Sequence, residues 1–286
     1  MVKMAVDSYR TTLSAMLQAL EDGENVVHVL QNLNILLEAT PSGEDVLEIA
    51  SLLSVQALFN CLSTADEDQI KVCCSVLAKI FSKMPATGIC QYEQYIELGL
   101  QHISEHVRKM TLQVLRNNSS SEQLQAVILA PTMFHLVTQE LGDSSLECAT
   151  LAAEILLQVV KNPQVLDVKV RQALWIDLEG IMTKSDIVRY RIYELVVKMA
   201  LVGGDVFASV QSSGLLQKLV KELDLDDVLV KMNCIELLVM LMESSEGLQF
   251  LESAQVVGKV HAQLLFAQQD PFGSLIIPGW SLISCS

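Results

Sequence analysis

The sequence predicts an all-α protein whose helices stack as repeated units. Three observations carry that expectation: helix breakers are scarce, apolar residues recur at helical spacing, and one helix-start pattern returns at near-constant intervals. Of 286 residues, 13 are glycine and 6 are proline, well under the roughly 12% that the two make up on average. So few breakers argue against a turn-rich β protein and against disorder. Aromatics are 5% of a chain that is 51% apolar, a balance that suits helices packed on helices.

The first clear stripe lies in 26–39, where Val26, Val29, Leu30, Leu33, Leu36 and Leu37 fall three or four apart. That spacing is one face of a 3.6-residue helix. Breakers separate this block from others like it: Asp22-Gly23, Pro41-Ser42-Gly43, Met84-Pro85, 117–121, Pro131, Gly142-Asp143, Asn162-Pro163, Gly203-Gly204 and Gly214. Strand-like alternation is not sustained anywhere.

One pattern then returns five times. A leucine-rich helix ends in a polar break led by Asp or Ser, and a hydrophobic residue followed by a charged one opens a longer helix. The runs are DEDQIKVCCSVL, SEHVRKMTLQVL, DSSLECATLAAEIL, SDIVRYRIYEL and DDVLVKMNCIEL. Their marker pairs are Ile70-Lys71, Val107-Arg108, Leu146-Glu147, Val188-Arg189 and Val230-Lys231, separated by 37, 39, 42 and 42 residues. Armadillo and HEAT arrays have this period of roughly 40 residues. The sequence therefore predicts a right-handed armadillo/HEAT-like helical-repeat solenoid over 1–280. Its repeat-start helices lie near 66, 104, 143, 185 and 226, and an irregular tail covers 281–286. Asp66, Ser104, Asp143, Ser185 and Asp226 or Asp227 suit N-caps, where a side-chain oxygen accepts an orphan amide N–H. The helix before each break carries paired aliphatics: Leu58 and Leu62, Leu100 and Ile103, Val137 and Leu141, Leu178 and Met182, Leu219 and Leu223. A two- or three-helix unit cannot bury its stripe alone, so units stack.

Charge narrows the partners. Lys and Arg total 19 against 34 Asp and Glu, a net charge of −15. A field of that sign repels nucleic-acid phosphate and anionic headgroups, so neither nucleic acid nor membrane is an expected partner; basic proteins remain open. Seven cysteines form no paired framework, and free buried thiols in a reducing compartment are the plain reading. The amino-terminal stretch has no apolar run of signal-peptide length. No window holds the ~18 uninterrupted apolar residues of a spanning helix. The expectation is a soluble intracellular protein.

Candidate chemistry is sparse. His102 and His106 are four apart, a spacing that can hold a metal, but a helix starting at Ser104 would separate them. Cys73 and Cys74 sit on adjacent helical positions about 100° apart, which suits core filling. The acidic runs Asp66-Glu67-Asp68 and Asp224 with Asp226 and Asp227 are what a helix dipole favours at its start. Gly203-Gly204 lacks the Lys-Ser or Lys-Thr of a phosphate loop, and there is no Gly-x-Ser-x-Gly or His-Glu-x-x-His run. No catalytic residue, cofactor or metal is expected.

A basic and aromatic cluster stands out at Arg189, Tyr190, Arg191 and Tyr193. With Val188, Ile192, Leu195, Val196 and Met199 as the buried stripe, Arg191, Glu194 and Lys198 fall on another face. One repeat later lie Lys231, Asn233 and Glu236, with Glu194 stacked over Glu236. Arg189, Arg191, Tyr193, Glu194, Lys198, Lys231, Asn233 and Glu236 are the candidate partner-binding residues, Arg and Tyr being enriched in interface hot spots. The competing reading has Arg189 and Arg191 satisfying acidic neighbours between repeats.

SDIVRYRIYEL, followed by SSGLLQKLVKELDLDDVLVKMNCIEL, and then the Asp270-Pro271-Phe272 and Pro278-Gly279-Trp280 steps, resemble the 26S proteasome non-ATPase regulatory subunit 5 family. The resemblance is carried by 182–280. It implies a non-catalytic assembly chaperone of the proteasome regulatory-particle base, in the cytoplasm and also the nucleus. The implied partner is the C-terminal domain of the AAA+ ATPase regulatory subunit 7, in a module with regulatory subunit 4 and non-ATPase subunit 2. The alternative is a generic armadillo/HEAT scaffold or adaptor for another protein. Family members are longer, and Ser281-Leu282-Ile283-Ser284-Cys285-Ser286 does not look like their continuation. A truncated or alternative form is the expectation, its last repeat left uncapped.

Overall fold

The capping oxygens fix where the long helices begin. Asp66 Oδ1 accepts the N–H groups of Asp68 at 2.9 Å and Gln69 at 3.2 Å. Ser185 Oγ accepts from Val188 N at 3.2 Å, and Asp227 Oδ1 accepts from Val230 N at 3.1 Å. Each such bond satisfies a donor that the helix itself cannot, and is worth about 1 kcal/mol. The computed structural model describes residues 2–40, 43–162 and 168–267. Among these residues all regular structure is helical. The predicted tail at 281–286 and the steps at Asp270 and Pro278 lie outside them, as do Pro41 and Pro163.

The chain divides into two units, 1–155 and 156–286. The first opens with α1 (Val2–Asp22) and α2 (Val26–Ala39). Three sets of two short helices and one long helix follow: α3 (Gly43–Leu52), α4 (Val55–Asn60) and α5 (Glu67–Lys83); α6 (Ala86–Ile89), α7 (Glu93–Leu100) and α8 (Glu105–Asn118); α9 (Glu122–Ile128), α10 (Pro131–Gln139) and α11 (Leu146–Val160). Pro131 occupies the first turn of α10, where its missing N–H costs nothing. α5 packs between α2 and α8, and α7 packs on α8 and α10. Ile70, Cys73, Leu77 and Ile80 of α5 are buried, as are Val107, Leu112 and Leu115 of α8. Each fully buried aliphatic contributes about 1.5–3 kcal/mol.

The second unit repeats the plan. α12 (Val168–Met182) and α13 (Asp186–Ala200) precede α14 (Gly204–Ser213), α15 (Leu215–Glu222) and α16 (Val228–Leu241), then α17 (Ser245–Ser253) and α18 (Val256–Ala267). α13 packs on α12, α14, α15 and α16. Gly214 turns α14 into α15 at φ +78°, its N–H bonding Gln211 O at 3.3 Å; only glycine enters that region freely. No helix of the described residues is long and apolar enough to cross a membrane.

Four expectations need correction. Ser104 sits at the N-cap of α8 but makes no capping bond; its hydroxyl is buried without a partner. Asp143 is not the cap of α11. Its Oδ1 accepts from Ser145 N at 2.7 Å, and Ser145 Oγ accepts from Cys148 N at 3.4 Å. Leu146 consequently stands on the first, solvated turn, 65% exposed, while Cys148 is buried. Cys148 lies 41 residues after Val107 and 40 before Val188, so it carries the repeat register. Ile103 does not join Leu100 inside: it is 92% exposed, and the buried pair of α7 is Ile96 and Leu100.

The α7–α8 contact is set by Gly99. A Cβ there would lie 2.3 Å from Thr111 Oγ1, an overlap that forces the helices apart. Gly99→Ala is expected to lower unfolding stability by about 2 kcal/mol, and Thr111→Ala in the same chain to restore part of it. Urea denaturation measures both; a double variant no more stable than Gly99→Ala would refute this contact as the cause.

Candidate functional site

The capped starts of α13 and α16 place the two long helices side by side, and the 3.6-residue turn then sorts their side chains. Ile192, Val196 and Met199 of α13, and Cys234, Leu238 and Leu241 of α16, are buried. Glu194 and Lys198 of α13 and Asn233 and Glu236 of α16 are exposed. Arg191 is half-buried at the edge of the same face; Lys231, also half-buried, lies two residues before Asn233 and so points about 160° away from it around α16. Lys198 Nζ meets Glu194 Oε1 at 2.6 Å, one helical turn apart. Five of the eight candidate residues, Arg191, Glu194, Lys198, Asn233 and Glu236, thus fall on one face of α13 and α16.

Arg189, Tyr193 and Lys231 do not. Tyr193 is 1% exposed, and its hydroxyl donates to Glu222 Oε1 at 3.0 Å. Arg189 Nη2 lies 2.9 Å from Asp186 Oδ1, and Nε 3.4 Å from Glu222 Oε1 without hydrogen-bond alignment. Burial first, and then the Glu222 carboxylate, push the Tyr193 hydroxyl far above the ordinary tyrosine range. Both side chains tie α13 to the end of α15. The physical reason is position: Arg189 lies on the first turn, beside the loop that ends the next repeat's short helix, and Tyr193 lies one turn on in the same seam. Tyr190, passed over as a contact residue, crosses to α16, its hydroxyl donating to Val230 O at 3.4 Å.

The first unit uses the same device. Arg108 Nε donates to Asp143 Oδ2 at 2.7 Å and lies 3.5 Å from Glu140 Oε2. Its Nη1 donates to the carbonyls of His102 and Ile103, both at 2.8 Å. Glu140 follows Arg108 by 32 residues, and Glu222 follows Arg189 by 33. That spacing was available as a sequence signal, but only once the arginines were known to face inward. Glu140, Asp143 and Cys148 bring three ligand-type atoms within 4.8 Å of one another. The Arg108 guanidinium already serves these carboxylates as their cation, and burial pushes the Cys148 thiol up to about 11. The group is a clamp between repeats.

The remaining candidates are structural. His102 Nδ1 accepts from Ser104 N at 3.0 Å. Its other nitrogen therefore carries the proton and faces Leu62 O at 3.2 Å. His106 Nε2 lies 3.8 Å from Glu67 Oε2, so the two histidines share no ligand position. Cys73 and Cys74 are buried, as are Cys61, Cys148 and Cys234. Burial raises the Cys74 thiol to about 12 and the Cys234 thiol to about 11. The Cys73 thiol donates to Leu58 O at 3.1 Å.

The clamp makes stability depend on pH. Burial alone would raise the Asp143 carboxyl, but the bonds from Arg108 and the Ser145 N–H more than offset it, and its pKa falls below 3.8. Its contribution is therefore complete above the unfolded value of 3.8 and is lost as pH falls through the lower folded value. Asp143→Asn removes one charge-assisted bond from Arg108, which keeps Glu140 and the carbonyls of His102 and Ile103, and is expected to cost about 2 kcal/mol at neutral pH. The deficit should shrink in acid. Urea melts of both proteins across the acid range measure it; a constant gap would exclude the carboxylate as its source.

Comparison with known proteins adds the following. The profile of the family described as Proteasome non-ATPase 26S subunit matches residues 10–284. The chain is 28% identical over 268 residues to 26S proteasome non-ATPase regulatory subunit 5 of Bos taurus, covering 93% of this chain and 53% of that protein. Its identity to the Homo sapiens protein of the same name is 27%, with the same coverage. For the Drosophila melanogaster protein, identity is 26% over 240 residues, covering 80% and 46%. The chain thus spans about half the length of the curated relatives it matches. A computationally designed armadillo repeat protein for modular peptide recognition superposes with a TM-score of 0.53 at 19% identity, covering 80% of this chain and 99% of that one. An engineered protein gives 0.51 at 15%, covering 85% and 97%. These structural likenesses bear on the fold, an all-α array of helical repeats.

Proposed function

Because the chain belongs to the Proteasome non-ATPase 26S subunit family, we propose that it is a non-catalytic assembly chaperone for the base of the 26S proteasome regulatory particle. In this reading it binds the C-terminal domain of the AAA+ ATPase regulatory subunit 7, in a module with regulatory subunit 4 and non-ATPase subunit 2, in the cytoplasm or nucleus. The observation that carries the reading is the match of residues 10–284 to one family. The strip of α13 and α16 supplies the contact surface: Arg191, Glu194, Lys198, Asn233 and Glu236. The net charge of −15 favours a basic partner domain and speeds its encounter.

The mechanism is steric and stoichiometric. One chain covers one ATPase domain, so premature docking onto the proteolytic core is blocked until the chaperone leaves. Chemistry at the surface is not needed. Side chains have only to match charge and exclude water over enough area, and a strip of mixed sign sets the register of the bound domain.

The full chain used as bait in cell lysate is expected to recover free ATPase modules that lack core-particle subunits. Glu194→Lys with Glu236→Lys should reduce that recovery about tenfold by reversing the charge of the strip. Absence of any ATPase subunit from the wild-type eluate, judged by mass spectrometry, would remove the reading.

A further inference from the structure

The second unit has a groove of about 440 Å³ between α12 and α14. Arg171, Gln172 and Trp175 line it from α12, and Asp205, Ser209 and Ser212 line it from α14. Asp205 and Ser212 stand two helical turns apart, about 10 Å at the rise of an α-helix. An extended chain covers that length in about three residues.

The groove holds a cation that the fold does not use. Arg10, Arg108, Arg116 and Arg189 each meet a carboxylate. Arg171 meets none among the described residues, and its Nε is buried without a hydrogen bond. The Nε of Arg189 also lacks a bond, but it has Glu222 Oε1 at 3.4 Å. A buried donor left without an acceptor costs free energy. One that lines a groove points to an acceptor brought from outside. Acidic residues outnumber basic ones in this chain, which makes an arginine without one of them the more telling.

Its neighbours define the ligand further. Trp175 is 9% exposed, and its Nε1 donates to Ser209 Oγ at 3.1 Å. That bond joins the two helices and fixes the indole as a wall of the groove. It uses the Ser209 oxygen as acceptor and leaves the hydroxyl proton to donate. Arg171 and Ser209 therefore both offer hydrogen to whatever fills the groove. Asp205, on the first turn of α14, is exposed and sets a negative charge in the same lining. It opposes a phosphate dianion more than a singly charged carboxylate, and a planar carboxylate matches the guanidinium fork. Tryptophan and arginine are also the residues on which interface anchors are most often built.

We propose that this groove binds a short extended segment of a partner protein that carries an acidic side chain. Arg171 and Ser209 take the carboxylate, and Trp175 covers the aliphatic residue beside it. The site lies apart from the residues assigned to the ATPase contact and is argued from its own chemistry, so it stands or falls separately from that reading.

The test uses the full chain and the peptide acetyl-Leu-Glu-Leu-amide at about 0.15 M salt. The tryptophans of the chain are Trp175 and Trp280, so in Trp280→Phe protein the emission reports the groove. Anisotropy of a fluorescein-labelled copy of the peptide gives the affinity of the unsubstituted chain. Saturable binding is expected by both. Arg171→Gln should weaken it about tenfold with no fall in Tm, because the guanidinium has no partner within the fold and glutamine is as good a helix former. Arg116→Gln, which removes the same charge from the first unit, should bind as the unsubstituted chain. A peptide with glutamine in place of glutamate should lose binding, and Asp205→Asn should admit a phosphoserine peptide that the unsubstituted chain rejects. Absence of saturable binding overturns the site, as does equal affinity of Arg171→Gln or of the glutamine peptide. Tighter binding of the phosphoserine peptide to the unsubstituted chain would mark a phosphate site, and displacement by an equal concentration of glutarate a small-acid site; either overturns the proposal. A lower Tm in Arg171→Gln would place the guanidinium among the groups that hold the fold and overturn it too.

Discussion

The stacking of this protein follows from one constraint: the apolar stripe of a single long helix is only partly covered within its own repeat. α5 must lie against α2 and α8, and α13 against α16, or Ile80, Leu115, Val196 and Leu238 would meet water. Once that is required, the helix starts have to fall in step, because a helix that begins a turn late offers its charged face to the seam. Capping by Asp66, Ser145, Ser185 and Asp227 sets that step. The caps contribute modestly to stability and decisively to register.

Polar groups in the seams answer a second requirement, which is that buried polar atoms find partners. Arg108 and Arg189 each reach from the first turn of a long helix to a carboxylate ending the next repeat's second short helix. A buried ion pair is weak evidence for net stability, since leucines of similar volume can do as well. It does discriminate between neighbours shifted by one turn, which a smooth apolar contact does not. The repeats are therefore held by nonspecific burial and aligned by specific charge. The face left over, opposite the stripes, is free to carry whatever side chains a partner selects.

The repeat period and the long helices were legible in the sequence because helical spacing and Asp or Ser caps are local signals. What was misplaced depended on facts that are not local. Leu146-Glu147 resembles the other marker pairs, but its helix begins after Ser145, so Cys148 takes the buried position. Ile103 is aliphatic and near Leu100, yet hydrogen bonds from a neighbouring arginine hold its loop outward. Arg189 and Tyr193 have the composition of an interface, and only the position of Glu222, some thirty residues on, shows that they face a seam. Glu194, Lys198, Asn233 and Glu236 were readable because exposure on a known helix follows from its period alone. A groove such as the one at Arg171 and Asp205 is assembled from two repeats and leaves no continuous trace in the chain.

The buried cysteines have a consequence for the life of the chain. Cys61, Cys73, Cys74, Cys148 and Cys234 are shielded in the native state, where high thiol pKa values keep the nucleophilic thiolate scarce. While the polypeptide is being made, or whenever a repeat opens, the same sulfurs meet oxidant and one another. Peroxide damage would then mark those molecules caught before or between closures, and a cell's redox state would weigh on the yield of finished chains more than on the performance of chains already folded.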